Sequence, residues 1–165
     1  MNAKEVDEFI EWSKTKHEDK EIGVMKAKRG KIHNFLGMKL DCTEDCIAKA
    51  DMVECLTSMV TEFPADLKKM RPVSSPTAGH SFKVRDDVGK LSKHKAETCH
   101  DMVARGLFVT KQSRGDIHAA MSFSCTKFQA PDADDWKKLV RLMKCIQQTI
   151  KLVPRLGVGG VSIIK

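Results

Sequence analysis

Phe35-Leu36-Gly37-Met38-Lys39-Leu40-Asp41 and, a short interval later, Met52-Val53-Glu54-Cys55-Leu56-Thr57-Ser58-Met59-Val60-Thr61-Glu62-Phe63 carry two different hydrophobic periods. In the first, Leu36, Met38 and Leu40 alternate with Gly37, Lys39 and Asp41, the period that buries one face of a strand. In the second, Met52, Val53, Leu56, Met59, Val60 and Phe63 recur at three and four, and Pro64 stops the pattern. A chain that switches between these periods is α+β.

Toward the N-terminus, Ile22, Val24 and Lys26 lead into a basic turn, Lys28-Arg29-Gly30-Lys31. Paired with the alternating stretch that follows, they predict a β-hairpin with one buried face. Before it, Val6, Phe9, Ile10 and Ser13 stand at helical spacing from Ala3 to about Lys16, with acids early and lysines late, the polarity that complements the helix dipole.

Toward the C-terminus, residues 64–90 contain Pro72, Pro76, Gly79 and Gly89 and no sustained period, which predicts a long connection. A helix is expected from about Lys95 to Thr110, broken near Ser113-Arg114-Gly115. The next is capped by Asp116, turns Ile117, Ala120, Met121, Ser124 and Phe128 inward, and ends at Ala130-Pro131. Asp132 to Asp135 open a last helix to about Ile150, with Trp136, Leu139, Val140, Leu142, Met143, Ile146 and Ile150 as its buried stripe. The apolar, glycine-bearing tail from Leu152 to Ile164 predicts a strand.

At 165 residues the chain can bury one ordinary core. No segment approaches the roughly 18 apolar residues of a membrane span, and the mixed polar start is unlike a signal peptide. The expectation is an intracellular, cytoplasmic protein with no membrane partner, whose six cysteines are reduced thiols. The net charge of +7 favours polyanionic partners.

Catalytic patterns are mostly absent. The sequence has no Walker-type glycine loop, no nucleophile elbow, no His-Glu-x-x-His and no paired cysteine ribbon. The adjacent acids Asp86-Asp87 and Asp134-Asp135 suit capping better than a two-metal site, which draws its carboxylates from separate elements. Cys99 and Cys125 have no supporting motif for a nucleophile, so no catalytic and no metal-binding residue is assigned.

Five stretches, in order, resemble the reverse transcriptase of Ty1/copia-type retrotransposons. Phe35 to Leu40 is similar to that family's primer-grip strand, Met52 to Phe63 to the helix beyond it, and Ser75-Pro76 to a Thr-Pro or Ser-Pro in the following loop. Asp101-Met102-Val103-Ala104-Arg105-Gly106-Leu107-Phe108, with Ser113-Arg114-Gly115-Asp116-Ile117, is similar to its leucine-rich helix and Arg-Pro-Asp-Ile turn. Pro131 to Thr149, with Asp135-Trp136-Lys137-Lys138-Leu139, resembles the closing thumb helix. Gly115 stands where the family has proline, Cys145 where it has tyrosine and Gln148 where it has glycine.

The resemblance implies three regions. Residues 1–42 would be the end of a palm with a primer-grip-like hairpin, 43–151 a thumb-like helical bundle with its long loop at 64–90, and 152–165 a strand leading toward a ribonuclease H domain. The family's Tyr-Val-Asp-Asp motif is missing, so the expected identity is a fragment of an RNA-directed DNA polymerase, inactive alone. The fragment itself would need no cofactor; magnesium is implied for the complete polymerase. Its partners would be the RNA/DNA primer-template duplex and the missing palm, fingers and ribonuclease H parts.

Within that frame Phe35, Gly37 and Lys39 are the expected duplex contacts of the hairpin, Gly37 because a bare backbone allows close approach and Lys39 because it can meet a phosphate. Lys137, Lys138 and Arg141, with Lys144 beside them, lie on or near the polar side of the last helix and are expected to track a duplex backbone. The alternative is a small basic helical module that binds nucleic acid or protein without enzymatic activity.

Overall fold

The computed structural model describes residues 3–18, 23–45, 47–85, 88–127 and 129–157. It is α+β: α1 (Ala3–His17), a sheet built from β1 (Ile32–Phe35), β2 (Met38–Asp41) and β3 (Ile47–Asp51), then α2 (Val53–Glu62), α3 (Lys93–Gln112), α4 (His118–Thr126), α5 (Ala133–Gln148) and finally β4 (Arg155–Gly157). The strands run antiparallel in the order β1-β2-β3-β4.

The hairpin forms, but not where periodicity places it. The turn is Leu36-Gly37, both with positive φ (48° and 75°), as in the mirror-image turns whose twist matches a two-residue hairpin. Residues 28–31 instead form an exposed approach to β1. Leu36, expected on the buried face, therefore sits at the tip and is 63% exposed. Alternation fixes which residues share a face but not which segment pairs with which. Here the register sets Phe35 opposite Met38 and His33 opposite Leu40. Ile22 lies outside the described residues.

Two further strands complete the sheet. β3, whose short Ile47-Ala48-Lys49-Ala50-Asp51 run gives too few repeats for a periodicity, pairs Ala50 with Leu40. β4 confirms a strand in the tail and docks on β3, one strand removed from the hairpin, while residues 158–164 lie outside the described ones. Glu44 ties this edge by pairing with both Lys49 and Arg155.

The helices pack on one core. Leu56 and Met59 of α2, Met102, Val103 and Val109 of α3, Met121 of α4, and Leu139, Leu142, Met143 and Ile146 of α5 are buried together, and Met38 and Ala50 bring the sheet onto the same cluster. Phe63 stacks on Trp136 at 5.3 Å. α1 stands apart from this pattern: its helix is as expected, yet only Ser13 is buried, and Phe9 and Trp12 are 62% and 54% exposed.

The corner between α3 and α4 is held by Arg114, only 1% exposed. Its Nε and Nη2 donate to the two carboxylate oxygens of Asp116 (2.7 and 2.8 Å), while Nη1 and Nη2 reach Thr149 O and Oγ1 just past α5 (3.0 and 2.7 Å). Asp116 does not cap α4 as expected, because its carboxylate is committed to this bidentate pair, and a 3-10 turn at Gly115–Ile117 precedes the helix. At the last helix, by contrast, the acids act as predicted: Asp132 accepts from Asp134 N and Asp135 N, and Asp135 returns the bond to Asp132 N.

Replacing Arg114 by methionine removes four hydrogen bonds from a buried corner and should cost about 3 kcal/mol in urea unfolding. Ser113→Ala, which cuts only the Ser113 Oγ to Ala50 O bond, should cost about 1 kcal/mol. An Arg114 variant no less stable than the Ser113 variant would refute the corner's role.

Candidate nucleic-acid interface

Phe35, Gly37 and Lys39 come together at the hairpin tip. Phe35 ends β1 and is 59% exposed, Gly37 occupies the second turn position, and Lys39 projects from β2 into solvent. A side chain added at Gly37 would meet nothing within 4 Å, so the backbone there is open to close approach from outside. Lys39 lines a groove of about 460 Å³ together with Ile32, Asn34, Gly37, Met38, Asp51, Met52, Val53 and Glu54, and Asp51 stands directly opposite it on β3. Asp51 Oδ1 accepts Val53 N at 2.8 Å and so satisfies the start of α2. The groove carries both signs of charge, which places Lys39 on a rim facing two carboxylates.

The stronger basic surface is one the sequence reading left out. Between residues 23 and 40 stand Lys26, Lys28, Arg29, Lys31 and Lys39 and no aspartate or glutamate, and every one of these cations is exposed. Arg29 pairs with Asp7 of α1, which anchors the run beside the helix. The absence of acids over eighteen positions is legible in the sequence, but only as a turn signal until the exposure of residues 24–31 is known.

The residues expected from the last helix are not brought to the hairpin. Among them only Lys137 is exposed. Lys138 Nζ contacts Asp134 Oδ2 at 2.9 Å, donates to Lys83 O at 2.7 Å and lies 5.4 Å from the Phe123 ring. Arg141 is half-buried, with its Nε lacking a partner among the described residues. Lys144 is buried and donates to Leu67 O (2.8 Å) and Gln147 Oε1 (3.0 Å). Gln148 Oε1 accepts Val73 N at 2.9 Å. α5 thus uses Lys138, Lys144 and Gln148 to hold the 64–90 loop at three backbone points.

Other candidates resolve chemically. Burial pushes the Cys99 thiol up to about 11, with the Asp135 carboxylate adding to the effect, and burial raises Cys125 and Cys145 as well. Such thiols are protonated near neutrality and are weak nucleophiles. Among the described residues no group of three or more His, Cys, Asp or Glu could hold a metal ion. Asp86-Asp87 lie outside the described residues. No helix of the described residues is long and apolar enough to cross a membrane.

The hydrogen bond from Lys138 and its charge hold the Asp134 carboxyl below the usual carboxylate range, and the two side chains are only 9% and 11% exposed. A lowered folded-state value contributes stability above the ordinary carboxylate range, and that contribution is lost as pH falls through the folded value. Lys138→Met should therefore cost about 2 kcal/mol at neutral pH and less in acid that protonates Asp134, where the Lys83 O and Phe123 contacts of Lys138 remain. An equal cost at both pH values would show that the pair contributes nothing.

Comparison with protein-family models, with curated proteins and with solved structures finds no match for this chain.

Proposed function

We propose that this chain grips a primer-template duplex as a piece of an RNA-directed DNA polymerase of the Ty1/copia type, in an intracellular, cytoplasmic setting. The reading rests on the resemblance of its motifs and is carried by one observation: Phe35, Gly37 and Lys39 lie exposed around a two-residue turn, beside a flank that holds Lys26, Lys28 and Lys31 and no acid. Phosphate oxygens are acceptors with full negative charge, and Lys26, Lys28 and Lys31 offer exposed donors to them, while Arg29 is already paired with Asp7. The bare backbone at Gly37 lets a sugar-phosphate strand approach the tip, and Phe35 offers an aromatic face to a base or sugar.

In this role the chain positions nucleic acid and does no chemistry. Nucleotidyl transfer would belong to the palm carboxylates and magnesium of the remaining polymerase. Of the α5 residues, Lys137 alone stays available to a duplex, and the grip is chiefly the hairpin and its basic approach.

The test is binding of the full chain to a labelled RNA/DNA hybrid duplex, titrated against salt. Each phosphate contact adds about 0.9 to the slope of log affinity against log salt. Lys39→Ala should lower the slope by about 1, and joint alanine replacement of Lys26, Lys28 and Lys31 by about 2 to 3. Lys138→Met, already committed to Asp134, should leave it unchanged. No binding at low salt, or a slope indifferent to Lys39 and the flank, refutes the proposal.

A further inference from the structure

The sheet ends on one side at β1, and its outer edge has no neighbouring strand among the described residues. The pairing register fixes which backbone groups face outward. Cys42 N donates to Lys31 O at 2.7 Å, and Phe35 opposes Met38 across the two-residue turn. Hydrogen-bonded pairs alternate along an antiparallel ladder, so residues 31, 33 and 35 turn their backbone toward β2, and Ile32 and Asn34 present N–H and C=O to solvent. These outward sets lie about 7 Å apart, the repeat of an extended chain.

Exposed edges are usually guarded by proline, a bulge or a charge within the strand. Ile32-His33-Asn34-Phe35 has none of these. Ile32 and Phe35 are themselves exposed apolar groups, and Leu36 continues them at the tip. A nucleic acid could accept from the outward N–H groups, yet it has no regularly spaced donors for the carbonyls between them. Another peptide backbone satisfies both.

Charge decides what kind of backbone. The edge is flanked by the exposed Lys26, Lys28 and Lys31 and backed on the next strand by Lys39 opposite Asn34 and Asp41 opposite Ile32, and Arg29 is paired with Asp7, so the cations outnumber the acids around it. A second copy would bring another net +7 and its own basic approach against the same tip. We infer that β1 is a docking edge for an extended acidic segment of a partner protein, which adds antiparallel as a fifth strand. The inference shares its lysines with the nucleic-acid reading but differs from it in using the outward backbone of Ile32 and Asn34, which the N-methylated peptide tests separately.

The probe is a fluorescent peptide of about ten residues alternating valine with glutamate, titrated into the full chain by anisotropy. It should bind with a Kd on the order of 10 µM, as a short strand addition allows. The lysine counterpart, and a peptide N-methylated at alternate amides along one edge, should each bind at least about tenfold more weakly. Asn34→Pro removes an outward donor and spares the β1–β2 ladder, so it should weaken binding similarly while circular dichroism and melting stay near the parent. Asn34→Ala, which keeps the backbone donor, should bind as the parent does. If Asn34→Pro fails to fold, the N-methylated peptide still decides. Absence of binding, equal binding of the methylated or lysine peptide, or a salt-insensitive dimer of the chain that Asn34→Pro dissociates would each overturn the inference.

Discussion

The guanidinium of Arg114 is the constraint on which the arrangement of the chain depends. A buried cation must find acceptors for its donors or lose far more than a surface residue would. Arg114 finds them in Asp116, two residues away, and in Thr149, which lies beyond the end of α5. The first partner shapes the turn between α3 and α4; the second fixes where α5 must end. Ser113, its neighbour, donates to Ala50 O and draws the sheet to the same corner. One short segment therefore sets the mutual positions of two helical layers and a strand.

α5 performs a second organising task. Its apolar stripe fills the core, and its capping box fixes its start, both as amphipathic helix rules require. Its polar side, however, is not a free surface. Lys138, Lys144 and Gln148 bond to loop backbone at Lys83, Leu67 and Val73. Phe82 adds an edge-on contact to Phe123 at 5.4 Å. The loop is thus tethered along much of its length. Gln148 accepts Val73 N at 2.9 Å at the end of α5.

These internal uses of lysine and arginine change what the net charge means. The excess of +7 does not lie evenly on the surface. Arg114 and Lys144 are buried and Lys138 is paired, whereas the acid-free run before and through the hairpin exposes all of its cations. Phe35 and Leu36 lie in solvent at the hairpin tip beside these cations.

By itself the sequence determined the α+β class and the existence and approximate span of the five α-helices among the described residues, because each carries several repeats of one period, some ended by a stop such as Pro64 or Pro131. It also determined the acidic cap of α5, which is a local bond. What only the tertiary structure decided are the long-range pairings: the hairpin turn at Leu36-Gly37 instead of the basic segment, β4 beside β3, and the capture of Asp116 by Arg114. The same holds for the site. That Phe35, Gly37 and Lys39 lie together was legible because neighbours in a tight hairpin stay neighbours in space. Lys138, Lys144 and Arg141 were not, because a polar position on a helix is solvated or engaged according to what a distant loop lays across it, and periodicity contains no record of that loop.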